Sequence, residues 1–118
     1  MRKVPEPLYQ QVLEIALALT NATEAGNAPA RRGAYRRLRS LYRSRFGSPD
    51  PFLTETLADF TSGPRTAIKL YRLAIRQSAA FPGENLGSKQ QALAELLAEI
   101  EQRHQQTSYY SVSTGTDR

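Results

Sequence analysis

The side chains of this sequence best equipped for chemistry are its arginines. Seven fall between Arg31 and Arg45, with no acidic residue among them. At ~100° per residue, Arg32, Arg36, Arg39 and Arg43 share an arc of about 60° on a helix. Arg65, Lys69, Arg72 and Arg76 repeat the same i, i+4, i+7, i+11 spacing. A guanidinium is a planar fork of donors that grips carboxylates and phosphates through paired hydrogen bonds. The chemistry this pattern offers is therefore recognition of anions. Each stripe lies beside or opposite an apolar face, so both should reach solvent or a polar groove. Helices stacked side by side would merge the two stripes into one basic surface, which is the leading partner-binding face.

Two classes of ligand suit that surface. One is a protein partner with an acidic surface, the setting being a small adaptor, chaperone or toxin-immunity-type protein. The other is nucleic acid, held through its phosphates. Nucleic-acid binding normally adds aromatic stacking or a groove-reading element to the charges. Tyr35, Tyr42 and Tyr71 fall on apolar faces, where core packing is the expected use. No helix-turn-helix, RNA-recognition-motif or Gly-rich phosphate-loop signature is present. Protein binding leads, with nucleic acid as the alternative. A plainer use of the arginines is a solvated face, ion-paired with Glu55 and Asp59 on the intervening helix and with Glu95 and Glu99 on the last. Exposed pairs of that kind contribute little energy.

Catalytic and metal chemistry find few candidates. Glu55/Asp59 and Glu95/Glu99 are i, i+4 carboxylate pairs, but no His stands beside either, and surface ion pairing is the expected use. The single His, His104, suits the frayed end of a helix, where a cationic ring complements the dipole. Ser111, Ser113 and Thr114 have no accompanying base or oxyanion donors. With no Cys, thiolate chemistry and Cys-ligated metal sites are excluded. The expectation is a non-enzyme without cofactor or metal.

These side chains must be positioned by a small structure. The chain has 118 residues, 40% of them hydrophobic, which suits one domain with a modest core. Its net charge is +5, from 16 Lys and Arg against 11 Asp and Glu. That balance favours an acidic partner surface without naming it. Arg2 and Lys3 before an apolar stretch have the outline of a signal peptide, but Pro5, Glu6, Pro7, Gln10, Gln11 and Glu14 interrupt it. No window is apolar enough for a membrane span, so a cytoplasmic protein with no membrane association is expected.

Five helical segments account for the chain. The first runs from about Pro7 to Asn21, with Leu8, Val12, Ile15 and Leu19 at helical spacing. The second covers about Ala30–Phe46, burying Ala34, Tyr35, Leu38, Leu41, Tyr42 and Phe46, and should end at a Gly47 cap. Asp50 caps a short third helix, Pro51–Phe60. Pro64 opens a fourth, Pro64–Ala80. Ser88 with Gln91 reads as a capping box for a fifth, about Ser88–His104. Residues 1–105 then form one domain and 106–118 a flexible polar tail. Leu13, Leu17 and Ala18 make the first helix apolar around much of its girth, which leaves room for a homodimer. Tyr109 and Tyr110 of the tail could dock into a groove of the same or a neighbouring molecule.

Sliding the second helix onto the fourth by 33 residues aligns Arg32 with Arg65, Ala34 with Ala67, Arg36 with Lys69 and Leu38 with Tyr71. Arg39 then meets Arg72, Leu41 meets Ala74, Arg43 meets Arg76 and Pro49 meets Pro82. A period near 33 in helix–turn–helix units resembles tetratricopeptide repeats. Ala67, Tyr71 and Ala74 stand at the small–large–small spacing of that family's second helix, and Ala34, Leu38 and Leu41 follow it more loosely. The family's first-helix pattern is missing, and the helix-ending prolines fall about three residues late. The resemblance implies an all-α scaffold of two stacked helix-turn-helix hairpins plus a C-terminal capping helix, presenting a groove or face to a protein.

Overall fold

The computed structural model describes residues 2–116, with side chains described through residue 105. Five helices in the order α1 (Glu6–Glu24), α2 (Ala28–Ser44), α3 (Pro51–Phe60), α4 (Pro64–Ser78) and α5 (Leu86–Thr116) make up the fold, with no strand among the described residues. The fold class is all-α. The helices α1 and α2 pair as one hairpin, α3 and α4 as a second, and α5 lies against α4. The second hairpin meets the first through α3, which touches both α1 and α2, while α2 and α4 do not pack closely on each other. That separation opens the groove described below.

Each helix begins and ends for local reasons. Pro5 precedes α1, and Gly26, at φ 67, turns the chain after it, a conformation that a Cβ would penalise. The helix therefore runs to Glu24, three residues past the end expected near Asn21. Cap-forming residues there do not stop a helix that Gly26 can stop. The α2 helix starts two residues earlier than expected because the Asn27 side chain accepts from the Ala30 N–H at 3.1 Å. It ends at Ser44 without a left-handed glycine, so the Gly47 cap is not used. Freed from the helix, Phe46 is 90% exposed rather than buried. The Asp50 cap of α3 forms as expected, its carboxylate accepting from the Phe52 N–H at 2.9 Å. For α5 the cap is Asn85, which accepts from Ser88 N–H at 3.0 Å. The Ser88 hydroxyl is turned instead to Glu55 at 2.8 Å, so the expected Ser88–Gln91 capping box does not form. The end of α5 expected at His104 lies at Thr116. The docking expected of Tyr109 and Tyr110 falls on side chains outside the described residues.

The core is built from periodic positions. Leu8, Val12, Ile15 and Leu19 of α1 close on Ala34 and Leu38 of α2 and on Leu53 and Leu57 of α3. A second cluster joins Ala58, Ala67 and Tyr71 to Leu93 and Leu96 of α5. The positions aligned by the 33-residue offset share burial: Ala34 with Ala67, and Leu38 with Tyr71. Small residues at Ala34 and Ala67 let helix backbones approach closely.

The chain start, the α3 helix and its cap, and the α4–α5 corner are fastened by buried charge. Lys89 is fully buried and spends its three donors on Glu55 Oε1 (2.8 Å), Glu84 Oε1 (2.8 Å) and the Asn85 carbonyl (2.9 Å). Arg2 donates to both carboxylate oxygens of Asp50 and to Glu84 Oε2, and its guanidinium lies 4.3 Å from the centre of the Phe81 ring. The Arg2 backbone N–H adds a 2.8 Å bond to the Gly83 carbonyl, presented by a glycine at φ 83. Burial pushes the Glu84 carboxyl up, but hydrogen bonds from Lys89 and Arg2 outweigh it and hold its pKa below the usual carboxylate range. Burial likewise works against the Arg2 charge, and the hydrogen bonds to Asp50 and Glu84 outweigh it, so its pKa is raised.

Candidate functional site

The space between α2 and α4 is a groove of about 680 Å³ floored by α3. Its α2 wall carries Arg32, Arg36, Arg39 and Arg43, with Tyr35 and Tyr42 below them. Leu57 and Phe60 of α3 form the floor, and Thr66 and Leu70 of α4 form the opposite wall. One end is closed by the turn Thr61-Ser62-Gly63 and by Arg31. One wall is therefore cationic, while the floor and the other wall are mostly apolar.

The positions of these side chains follow from helical geometry. On α2 the buried residues Ala34 and Leu38 point to the core, and the arginine stripe is centred about 150° away from them. The tyrosines occupy the arc between. Tyr35 is half-buried, and its hydroxyl lies 2.7 Å from Thr61 Oγ1. The single Thr61 hydroxyl proton goes to the Leu57 carbonyl at 2.7 Å, so Tyr35 is the donor of that pair. Arg31 donates to the Phe60 carbonyl at 3.0 Å, satisfying the C-terminus of α3. It thereby marks one end of the groove.

The eight residues expected to form one basic face are divided by the structure. Arg32, Arg36, Arg39 and Arg43 are brought together on the groove wall, and all four are exposed. Arg65, Lys69, Arg72 and Arg76 are also exposed, but the groove wall on α4 is made by Thr66 and Leu70, not by this second stripe. The two stripes do not share one groove. Tyr35 and Tyr42, expected in the core, pack against it and line the groove as well.

The acids expected to neutralise the stripes are engaged elsewhere. Glu55 holds Lys89 and Ser88, and Asp59 accepts from the Tyr71 hydroxyl at 2.5 Å. Glu95 accepts from Gln91 at 3.1 Å, and Glu99 pairs with Arg103. None of the eight stripe residues has an ion pair among the described residues. The ion-paired solvated face is thus replaced by a cationic wall without internal counter-charges.

A second, smaller groove of about 450 Å³ runs between α5 and the α3–α4 corner. Asp59, Glu95, Glu99 and Arg103 line it together with Tyr71. Partial burial pushes the Asp59 carboxyl up, against the pull of the Tyr71 hydrogen bond. Burial and the same carboxylate push the Tyr71 phenol well above its ordinary value. Both shifts belong to a structural hydrogen bond between α3 and α4. Among the described residues no group of three His, Cys, Asp or Glu side chains could hold a metal, and no helix is long and apolar enough to cross a membrane.

The arginine wall was legible in the sequence, and the groove was not. Its apolar floor comes from Leu57 and Phe60 of α3, a different helix from the one that carries the wall. The signal that could have found it is the placement of Tyr35 and Tyr42 between the apolar face and the stripe. Comparison with known proteins brings no kinship: no protein-family model, no curated protein and no solved structure matches the chain.

Proposed function

We propose that the protein is a non-catalytic interaction module, a tetratricopeptide-like pair of helical hairpins with a capping helix, that receives an acidic protein partner in the α2–α4 groove. The observation that carries this reading is the wall of Arg32, Arg36, Arg39 and Arg43, which has no ion pair among the described residues, while Glu55, Asp59 and Glu99 are bonded elsewhere. Exposed guanidinium groups in a concave setting focus their field and attract anionic surfaces. The mostly apolar floor adds area that a protein can cover and a phosphate backbone cannot. The second stripe, Arg65, Lys69, Arg72 and Arg76, supplies longer-range attraction from outside the groove. The repeat-like scaffold is supported by the shared burial of Ala34 with Ala67 and of Leu38 with Tyr71. The setting proposed is a small cytoplasmic adaptor, chaperone or immunity-type protein.

A second reading, nucleic-acid binding, is favoured by one observation. Tyr35 and Tyr42 line the groove beside the arginines, which is the pairing of π-faces and cations that single strands use. One experiment separates the two. The tagged protein and its Arg36→Glu/Arg39→Glu variant are used as bait in native lysate, with and without nuclease, and captured proteins are identified by mass spectrometry. A partner lost with the variant and retained after nuclease supports the acidic-protein reading. Capture that disappears with nuclease transfers the groove to nucleic acid, and equal capture by both baits removes the groove from either role.

A further inference from the structure

We infer that the occupant of the groove is an amphipathic helix of the partner, bearing a ladder of carboxylates on one flank and an apolar stripe about a quarter turn away. This rests on the acidic-partner reading above and adds the form that partner must take.

The first ground is the asymmetry of the groove. Its charged wall, on α2, meets an apolar floor of Leu57 and Phe60, with Leu70 opposite. Wall and floor are neighbouring surfaces, so an occupant needs acids on one side and apolar groups on the adjacent side. A helix places two such stripes side by side by setting each apolar residue one position from an acid, about 100° around. An extended strand places alternate side chains on opposite faces, roughly 180° apart, so it cannot offer both to adjoining walls.

The second ground is the spacing of the arginines. Along α2 the steps from Arg32 to Arg36, Arg39 and Arg43 rise by about 6, 4.5 and 6 Å, roughly 16 Å in all. A partner helix lying alongside reproduces these steps with acids at i, i+4, i+7 and i+11. A strand advances about 6.7 Å between residues on one face and would be out of register with Arg43 by about 3.5 Å at the third step. The 4-3-4 sequence reads the same in both directions, so the ladder fixes the register of the partner helix and leaves its polarity to the ends of the groove. Arg31 does not extend the ladder, because it is held by the Phe60 carbonyl.

The third ground is that no carboxylate among the described residues is ion-paired with the wall. Glu55, Asp59, Glu95 and Glu99 each have another partner, so a carboxylate arriving from outside displaces no internal ion pair at the wall. The cost of docking is then confined to ordering the arginine side chains and dehydrating the groove.

The test is a selection of displayed random 16-residue peptides on the full chain, with Arg36→Glu/Arg39→Glu protein as the counter-selection target. Both residues are exposed, and matching thermal unfolding curves establish that the variant is folded. The expected result is enrichment of peptides whose acids recur at separations of three, four and seven, with apolar residues one position away on a consistent side. A representative peptide should lose about tenfold or more in affinity on the double charge reversal, and a similar factor when a central residue is replaced by Pro. Acid-rich peptides with a two-residue period, or ones indifferent to the Pro, would overturn the helical occupant while leaving the acidic-partner reading standing. Failure to enrich any sequence that prefers the native protein over the variant would overturn both.

Discussion

Arg2 and Lys89 are cations enclosed by carboxylates, whereas the arginines of α2 are cations left facing an open groove. Lys89 has no exposed surface and three acceptors, and Arg2 has two carboxylate partners and an aromatic ring. Arg32, Arg36, Arg39 and Arg43 have exposed side chains and no ion pair among the described residues. The contrast separates two uses of positive charge within one small chain. Where acids and bases are matched and dry, removing a member leaves a buried charge uncompensated. Where they are unmatched and wet, removing one should hardly affect folding and should act on whatever binds.

The largest effect that would break or sharpen this contrast is expected at Lys89. Lys89→Met should cost about 3–5 kcal/mol of stability, because Glu55 and Glu84 lose their shared cation inside the fold. A urea unfolding curve close to the native one would remove Lys89 from the structural class. Arg2→Ala should cost about 2–3 kcal/mol in the same measurement, the smaller value reflecting the Lys89 bond that Glu84 keeps. Tyr71→Phe should cost about 1 kcal/mol, since Asp59 is exposed enough to rehydrate. At the small end, Arg36→Glu/Arg39→Glu should change stability by less than about 0.5 kcal/mol while abolishing partner capture.

Acid titration examines the buried side of the contrast separately. The Glu84 pKa is lowered in the folded state from an ordinary value of 4.5. Above that value both states are ionised, and its contribution to stability is fully present. As the pH falls below it, the unfolded chain takes the proton first, and stability is lost until folded Glu84 also protonates. The raised pKa of Asp59 acts in the opposite sense, contributing stability as the medium becomes acidic. Unfolding midpoints between pH 6 and pH 3 should therefore fall less steeply in Glu84→Gln than in the native chain. An identical slope in both would detach Glu84 from the acid sensitivity.

The periodic positions of α1 and α3 made most of the fold legible: Leu8, Val12, Ile15 and Leu19 on one face, and Asp50 capping Pro51–Phe60. Sequence alone also grouped Arg32, Arg36, Arg39 and Arg43, because all four lie on one helix and their relation is fixed by 3.6-residue geometry. It could not relate α2 to α4, since that depends on how far α3 holds the two apart. For the same reason the second stripe was expected beside the first and lies outside the groove instead. The buried charges were missed for a different cause. Lys89 precedes Leu93, Leu96 and Ile100 by four, seven and eleven residues, so it continues their face. A lysine on an apolar face demands carboxylates from elsewhere, and Glu55 and Glu84 come from other elements. Phe46 was misread because its helix ends two residues earlier.

The bond from Arg2 to Glu84 joins positions 82 apart, so it closes most of the chain into a single loop. A contact of that span cannot form early in folding, because the entropy of closing the loop must be met before the contact gives anything back. The helical hairpins, with their local contacts, should assemble first, and the strap at residue 2 should close over the α4–α5 corner afterwards. An interaction absent from the transition state slows unfolding without speeding folding. Arg2 should therefore act as a brake on opening, and stopped-flow traces of Arg2→Ala should show faster unfolding at an almost unchanged refolding rate.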